Sequence, residues 1–168
     1  MERVHTRRPE QRPDEWVLLS YRLPREPSTP RITIWRKLKR LGVAQISDGL
    51  VALPADARTR EHLDWLADEI LEAGGAATVW LAQPTSRAQE RELAAAMADA
   101  RAAEYRAVLA EAARANGLPT AERNRVLRKL RAELRRINRR DYFPPPERRA
   151  ATEAVAALHA DRKEDTAS

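Results

Sequence analysis

Residues 16–54, WVLLSYRLPREPSTPRITIWRKLKRLGVAQISDGLVALP, switch between two periodicities, and the order of the switches decides the fold. In 16–23 the side chains divide between two faces, Val17, Leu19, Tyr21 and Leu23 on one and Trp16, Leu18, Ser20 and Arg22 on the other, which is the period of a strand. PREPSTP interrupts it. Ser28 or Thr29 can cap a helix, and Pro30 suits a first turn that has no use for the missing N–H. Over 30–41 the pattern becomes helical, with Ile34, Leu38 and Leu41 on one side, Trp35 beside them and Gly42 as the stop. VAQIS and LVALP follow as two short strands joined by Asp48 and Gly49, which tolerate the positive φ of a tight hairpin turn.

Working outward, Asp56 or Thr59 opens a second amphipathic helix. Leu63, Leu66 and Ile70 supply its apolar side, Trp65 and Leu71 flank them, and Gly74 and Gly75 end it. AATVWLA, residues 76–82, is a final strand. Strand, helix, strand, strand, helix, strand predicts an α+β, ferredoxin-like βαββαβ unit: a four-stranded antiparallel sheet with both helices on one face.

Past Pro84, Ala, Arg and Glu dominate and no strand pattern returns. A third helix from Thr85 or Ser86 to Ala115 carries a near-heptad stripe of Leu93, Met97, Ala100, Glu104 or Tyr105, Val108 and Ala112. Asn116 and Gly117 stop it, and Leu118, Pro119 and Thr120 lead into a fourth helix with the seam Leu127, Leu130, Leu134 and Ile137. These two helices are expected to form an antiparallel hairpin. The prolines of DYFPPP, residues 141–146, break the helix, and a final short helix runs from about Glu147 to Ala160. The expected organisation is a disordered basic tail at 1–14, the ferredoxin-like unit at 15–84, a helical extension packed on it at 85–161, and a frayed tail at 162–168.

The formal charge of +6 is unevenly spread: Lys plus Arg against Asp plus Glu is 11 to 5 over residues 1–40, 7 to 12 over 41–118 and 13 to 8 over 119–168. Two basic ends around an acidic middle suit a polyanionic partner. The absence of cysteine excludes thiolate catalysis, a cysteine metal site and direct thiol sensing of an oxidant. The charged opening MERVHTRRPEQRPDE is no secretory signal, and no run approaches the roughly 20 apolar residues of a membrane span, so a cytoplasmic protein without membrane contact is expected.

The fourth helix is the densest cationic feature, with Arg123, Arg125, Arg128, Lys129, Arg131, Arg135, Arg136, Arg139 and Arg140 opposed only by Glu122 and Glu133. Such a stripe can neutralise phosphates. It can equally pair with Glu90, Glu92, Asp99, Glu104 and Glu111 of the third helix. A second group, Arg22, Arg25, Arg31, Arg36, Lys37, Lys39 and Arg40, comes from the first strand's end and the first helix, and is either a phosphate-binding face or a merely solvated one. Trp16, Leu18 and Trp80 point away from the sheet's own helices and call for a cover: the third helix, a second protomer, or unpaired bases stacked on the rings.

Catalytic signals are poor. His5, His62 and His159 are scattered, there is no glycine-rich phosphate loop, and no HExxH motif occurs, so no catalytic residue, metal site or cofactor is expected.

Residues 16–54, together with EAGGAATVWLAQ and the late RRDYFPP, resemble the N-terminal domain of the ChrB family of chromate-resistance regulators. LPREPSTPRITIWRKLKRLG and RDYF are the most specific pieces. The resemblance implies a transcriptional regulator that recognises operator DNA, with chromate as a possible oxyanion effector. The resemblance covers only the N-terminal domain of full-length members, and the second, C-terminal domain they carry is not expected within these residues, so DNA binding or dimerisation is implied more directly than chromate sensing. The chain is more distantly similar to PaaX-type repressors and to small CRISPR-associated ferredoxin-like nucleases. The first strand of those nucleases ends in Tyr-Asp where this chain has Tyr21 and Arg22, replacing a metal-binding carboxylate with a cation.

The reading that results is a non-enzymatic, homodimeric double-stranded-DNA-binding module. Arg22, Arg25, Arg31, Arg36, Lys37, Lys39 and Arg40, with Arg128, Arg135, Arg136 and Arg139, are its candidate phosphate contacts. A protein-docking module using the hairpin seam at Leu130 or Leu134 is the alternative, and a chromate-binding or chromate-reducing protein a third.

Overall fold

The computed structural model describes residues 15–164, in the order β1 (Trp16–Arg22), α1 (Thr29–Leu41), β2 (Ala44–Ser47), β3 (Leu50–Pro54), α2 (Ala57–Glu72), β4 (Ala76–Ala82), α3 (Arg87–Ala115), α4 (Thr120–Arg139) and α5 (Pro146–Glu164). The described residues form two compact units, one of 15–39 with 43–90 and the other of 40–42 with 91–164. The expected tail at 1–14 lies outside the described residues, as do 165–168.

The first unit is an α+β assembly around a four-stranded sheet in the order β2-β3-β1-β4, with every neighbouring pair antiparallel. Register follows from side-chain alternation: Val17 faces Leu53 and Leu81, Leu19 faces Val51 and Val79, so the apolar set of β1 meets those of its neighbours. Val17, Leu19, Val51 and Leu53 are buried with Ile34 and Leu38 of α1 and with Leu63, Leu66 and Ile70 of α2, which lies against β1 and β4. Gly49 closes the β2–β3 turn at φ +72, where a Cβ would come within 2.4 Å of the Tyr21 carbonyl oxygen. The Gly49 carbonyl in turn accepts from the Tyr21 N–H at 2.8 Å.

Asp56 caps α2. Its carboxylate accepts from the Thr59 N–H at 2.7 Å, and the Thr59 hydroxyl accepts from the Asp56 N–H at 2.9 Å. That hydroxyl also donates to the Pro54 carbonyl, which satisfies a buried polar side chain and ties the helix start to β3.

Three aromatic or aliphatic side chains read as flanking the core are in fact solvated: Trp35 is 55% exposed, Trp65 59% and Leu71 52%. Helical periodicity is a cylinder property, and a helix lying on a sheet buries only one stripe of it. Trp16, by contrast, is buried, and its indole N–H reaches Glu90 in the first turn of α3 at 3.4 Å.

In the second unit α3 and α4 run antiparallel. Glu111 meets Lys129, Tyr105 meets Asn138 and Glu104 meets Arg140, so one sequence number rises as the other falls. Leu127, Leu130, Leu134 and Ile137 are buried as expected, against Tyr105, Val108, Ala112 and Ala115 of α3 and Ala151, Val155 and Leu158 of α5. Ala100 is exposed, so the α3 stripe passes through Ala102 and Tyr105 instead. The last helix is not short. It has 19 residues, begins at Pro146, whose missing N–H is harmless at a first helical position, and continues to Glu164 through part of the expected frayed tail.

Beneath α4 lies a polar cluster. The Tyr105 hydroxyl lies 2.7 Å from Asp141 Oδ2 and 2.8 Å from the Asn138 amide, and Arg148 stands 3.5 Å from the same Asp141 oxygen. Arg140 grips Glu104 through two hydrogen bonds, at 2.8 and 2.6 Å, and Arg101 pairs with the same carboxylate at 3.0 Å. Burial pulls the Arg101 guanidinium below its usual range against the pull of Glu104. Gly42, at φ +73, belongs to this unit, and a Cβ there would fall 2.7 Å from an Arg101 nitrogen and 2.8 Å from Arg140 Cβ. Among the described residues no helix is long and apolar enough to cross a membrane.

Candidate nucleic-acid interface

α1 carries five cations and no carboxylate, and four of the five, Arg31, Arg36, Lys37 and Lys39, belong to the first unit. Its buried stripe is Ile34 and Leu38, which leaves Arg31, Arg36 and Lys39 exposed on the other sides, with Arg25 exposed in the preceding loop and Arg22 at the end of β1. Lys37 is the exception in this group. Its ammonium sits 2.5 and 2.6 Å from the two carboxylate oxygens of Glu69 on α2, so its charge is already matched. Lys39 lies over the Trp35 ring, 5.1 Å from its centroid, a cation–π contact that fixes an indole at the centre of the basic face. Ile32, one turn back, is 46% exposed. The apolar pair Ile32 and Trp35 was not among the sequence candidates. The signal that would have found it is that Ile32 and Trp35 fall outside the Ile34–Leu38 stripe. Arg40 is exposed too and groups with the second unit.

Burial and the nearby Asp48 push the Tyr21 phenol above its usual range, with Arg31 pulling the other way. Arg31 is thus close enough to this strand end for its field to be felt.

Within the second unit the hairpin sorts the cations of α4 into two sets. Lys129 and Arg140 turn toward α3 and are matched by Glu111 at 2.7 Å and by Glu104, while Arg136 pairs with Glu133 one turn back. Arg123 is buried at the α4 start. Arg128, Arg135 and Arg139 are exposed, and no carboxylate of the described residues lies within ion-pair distance of them. Arg125 and Arg131, absent from the candidate set, share that condition and complete the row. Residues 125, 128, 131, 135 and 139 are three or four apart, so they line one helix face over about 21 Å, more than half of one DNA turn of about 34 Å.

The docking alternative loses its anchor here, since Leu130 and Leu134 are 1% and 8% exposed and are spent on the unit's own core. Among the described residues no group of three or more His, Asp or Glu is placed to hold a metal ion. His62 stacks on Trp65 with ring centroids 6.1 Å apart and ring planes nearly parallel, as a surface helical pair.

A sequence profile of the family described as Protein ChrB, N-terminal, matches residues 31–117, from the first turn of α1 to the turn after α3. The chain belongs to this ChrB N-terminal family. It is also 31% identical over 133 residues, 77% of its length, to Protein ChrB of Cupriavidus metallidurans, of which it spans 40%. No solved structure matches. The ChrB N-terminal match contains the α1 cations from Arg31 to Arg40, whereas the RDYF segment and the α4 arginines lie beyond it.

Proposed function

We propose that this chain is a cytoplasmic, non-enzymatic DNA-binding module of the ChrB type, serving the regulation of chromate-resistance genes. The observation that carries the reading is the row Arg125, Arg128, Arg131, Arg135 and Arg139, five exposed guanidinium groups on one helix face, none within ion-pair distance of a carboxylate among the described residues. Clustering like charges this way is unfavourable in isolation and becomes favourable when a phosphate backbone replaces its counterions. The acid-free α1 supplies a second such surface, in which Ile32 and Trp35 add an apolar contact that phosphate alone would not need. A ferredoxin-like origin for the sheet unit belongs to the same reading, supported by the βαββαβ order and the strand sequence β2-β3-β1-β4.

The test is titration of the purified chain against its own upstream DNA and a scrambled duplex, over a range of salt, with and without chromate. Tight, selective binding that weakens steeply with salt is expected, and Arg128→Glu/Arg135→Glu/Arg139→Glu should flatten the slope of log affinity against log salt by about 0.9 for each phosphate that is no longer neutralised. A triple variant that kept wild-type affinity and slope would remove α4 from the interface. Absence of binding by the wild type at low salt would overturn the DNA reading itself.

A further inference from the structure

β4 is an edge of the sheet, and its outer row of backbone N–H and C=O groups has no strand partner among the described residues. Exposed edges of this kind are ordinarily blunted by charge, proline, a bulge or brevity. β2, the opposite edge, is blunted: it has four residues and a register shift between Gln45 and Ser47. β4 has none of these devices. It runs seven residues without proline or irregular pairing, inside an uncharged stretch bounded by Glu72 and Arg87 that is the longest in a chain with 33% charged residues. Trp80 and Leu81 are 53% and 51% exposed, and the Trp80 indole N–H donates to Ser20 Oγ at 3.0 Å, which holds the ring across β1.

We propose that β4 is a dimerisation edge that pairs antiparallel with β4 of a second copy of this chain, about a two-fold axis at Val79. The sequence of the strand names the occupant. With Val79 opposite its own copy, Trp80 lies opposite Thr78, Leu81 opposite Ala77 and Ala82 opposite Ala76, so the two large side chains each meet a smaller one, alanine meets alanine at the ends, and no like charges meet. A two-fold pairing is isologous, so the strand supplies both halves of the interface. Elsewhere the chain's net charge of +6 works against self-association, and this uncharged edge is where two copies approach at least electrostatic cost. The result is a continuous eight-stranded sheet with the α1 surface presented twice, and it stands whether or not the chain binds DNA.

The test uses the charge of exposed positions, which leaves the buried face of the sheet intact. Sedimentation equilibrium of the full chain should give a dimer. Thr78→Lys/Trp80→Lys places lysine opposite lysine across the axis and should give a monomer with unchanged circular dichroism. Thr78→Glu/Trp80→Glu should do the same, and an equimolar mixture of the two variants should recover a heterodimer. A monomeric wild type, variants that remain dimeric, or folded variants whose mixture stays monomeric would each overturn the proposal.

Discussion

Tyr105 offers the sharpest quantitative handle on the second unit. Its ring is completely buried, and its hydroxyl is the closest hydrogen-bonding partner of Asp141, whose side chain is fully shielded from water and whose Oδ1 is buried without a partner. Replacing Tyr105 by phenylalanine keeps the ring and removes one hydroxyl. A hydrogen bond to a charged acceptor contributes about 1.5–3 kcal/mol, and a carboxylate left undersatisfied in a buried site puts the cost of Tyr105→Phe toward the upper part of that range at neutral pH. The cost should shrink in alkali. Burial, the hydrogen bond to Asp141 and the charge of that carboxylate hold the Tyr105 phenol well above its ordinary value of 10.0. A group raised on folding contributes stability that is fully present below its unfolded pKa and is lost as pH rises toward the folded one, because the unfolded chain releases a proton that the folded chain keeps. Above pH about 10 the wild type should therefore lose about 1.4 kcal/mol per pH unit through this residue, while the phenylalanine variant loses nothing there.

At pH about 11 the gap between the two proteins should have narrowed by about 1.4 kcal/mol. Tyr21 shifts in the same direction but is present in both proteins and cancels in the difference. Urea unfolding followed by helical circular dichroism is the right assay, because all four tryptophans lie at or before Trp80 and report on the sheet unit instead. A gap that is independent of pH, or a variant as stable as wild type at neutral pH, would refute this account of the cluster.

Leu130→Ala, which empties a site 1% exposed in the α3–α4–α5 core, should cost about 2–5 kcal/mol in the same unfolding assay. Gly42→Ala should lower the melting temperature by more than the loss of backbone freedom alone predicts, since the positive φ is strained for alanine and its methyl collides with Arg101 and Arg140. Asp56→Ala removes the cap of α2 and should cost about 1 kcal/mol, read by tryptophan fluorescence from the sheet unit.

Most of the element order was legible because it is written in local chemistry. Alternation marks β1, the glycines at 42, 49 and 74 end or turn their segments at positive φ, and the leucine seam of α4 repeats at steps that only a helix satisfies. Pro146 opens α5 instead of closing the break before it, because the same ring that forbids a helix interior is favoured at its start. The candidate cations were legible as a set but not as individuals. Whether a given arginine is available depends on acids far away in sequence, and Lys37 is matched by Glu69, Lys129 by Glu111 and Arg140 by Glu104 only once the chain has folded.

By itself the amino-acid sequence determined the strands and helices in order, the positions of their turns, and the presence of two basic segments. These follow from backbone propensity, capping and side-chain period, which act over a few residues. The tertiary structure alone decided that Trp16 is covered and Trp35, Trp65 and Trp80 are not, and, among the described residues, that β4 ends as an open edge and that Arg125 and Arg131 join Arg128, Arg135 and Arg139 in one unpaired row. Exposure and ion pairing are properties of neighbours in space, and which neighbours a residue acquires is fixed only when distant segments pack.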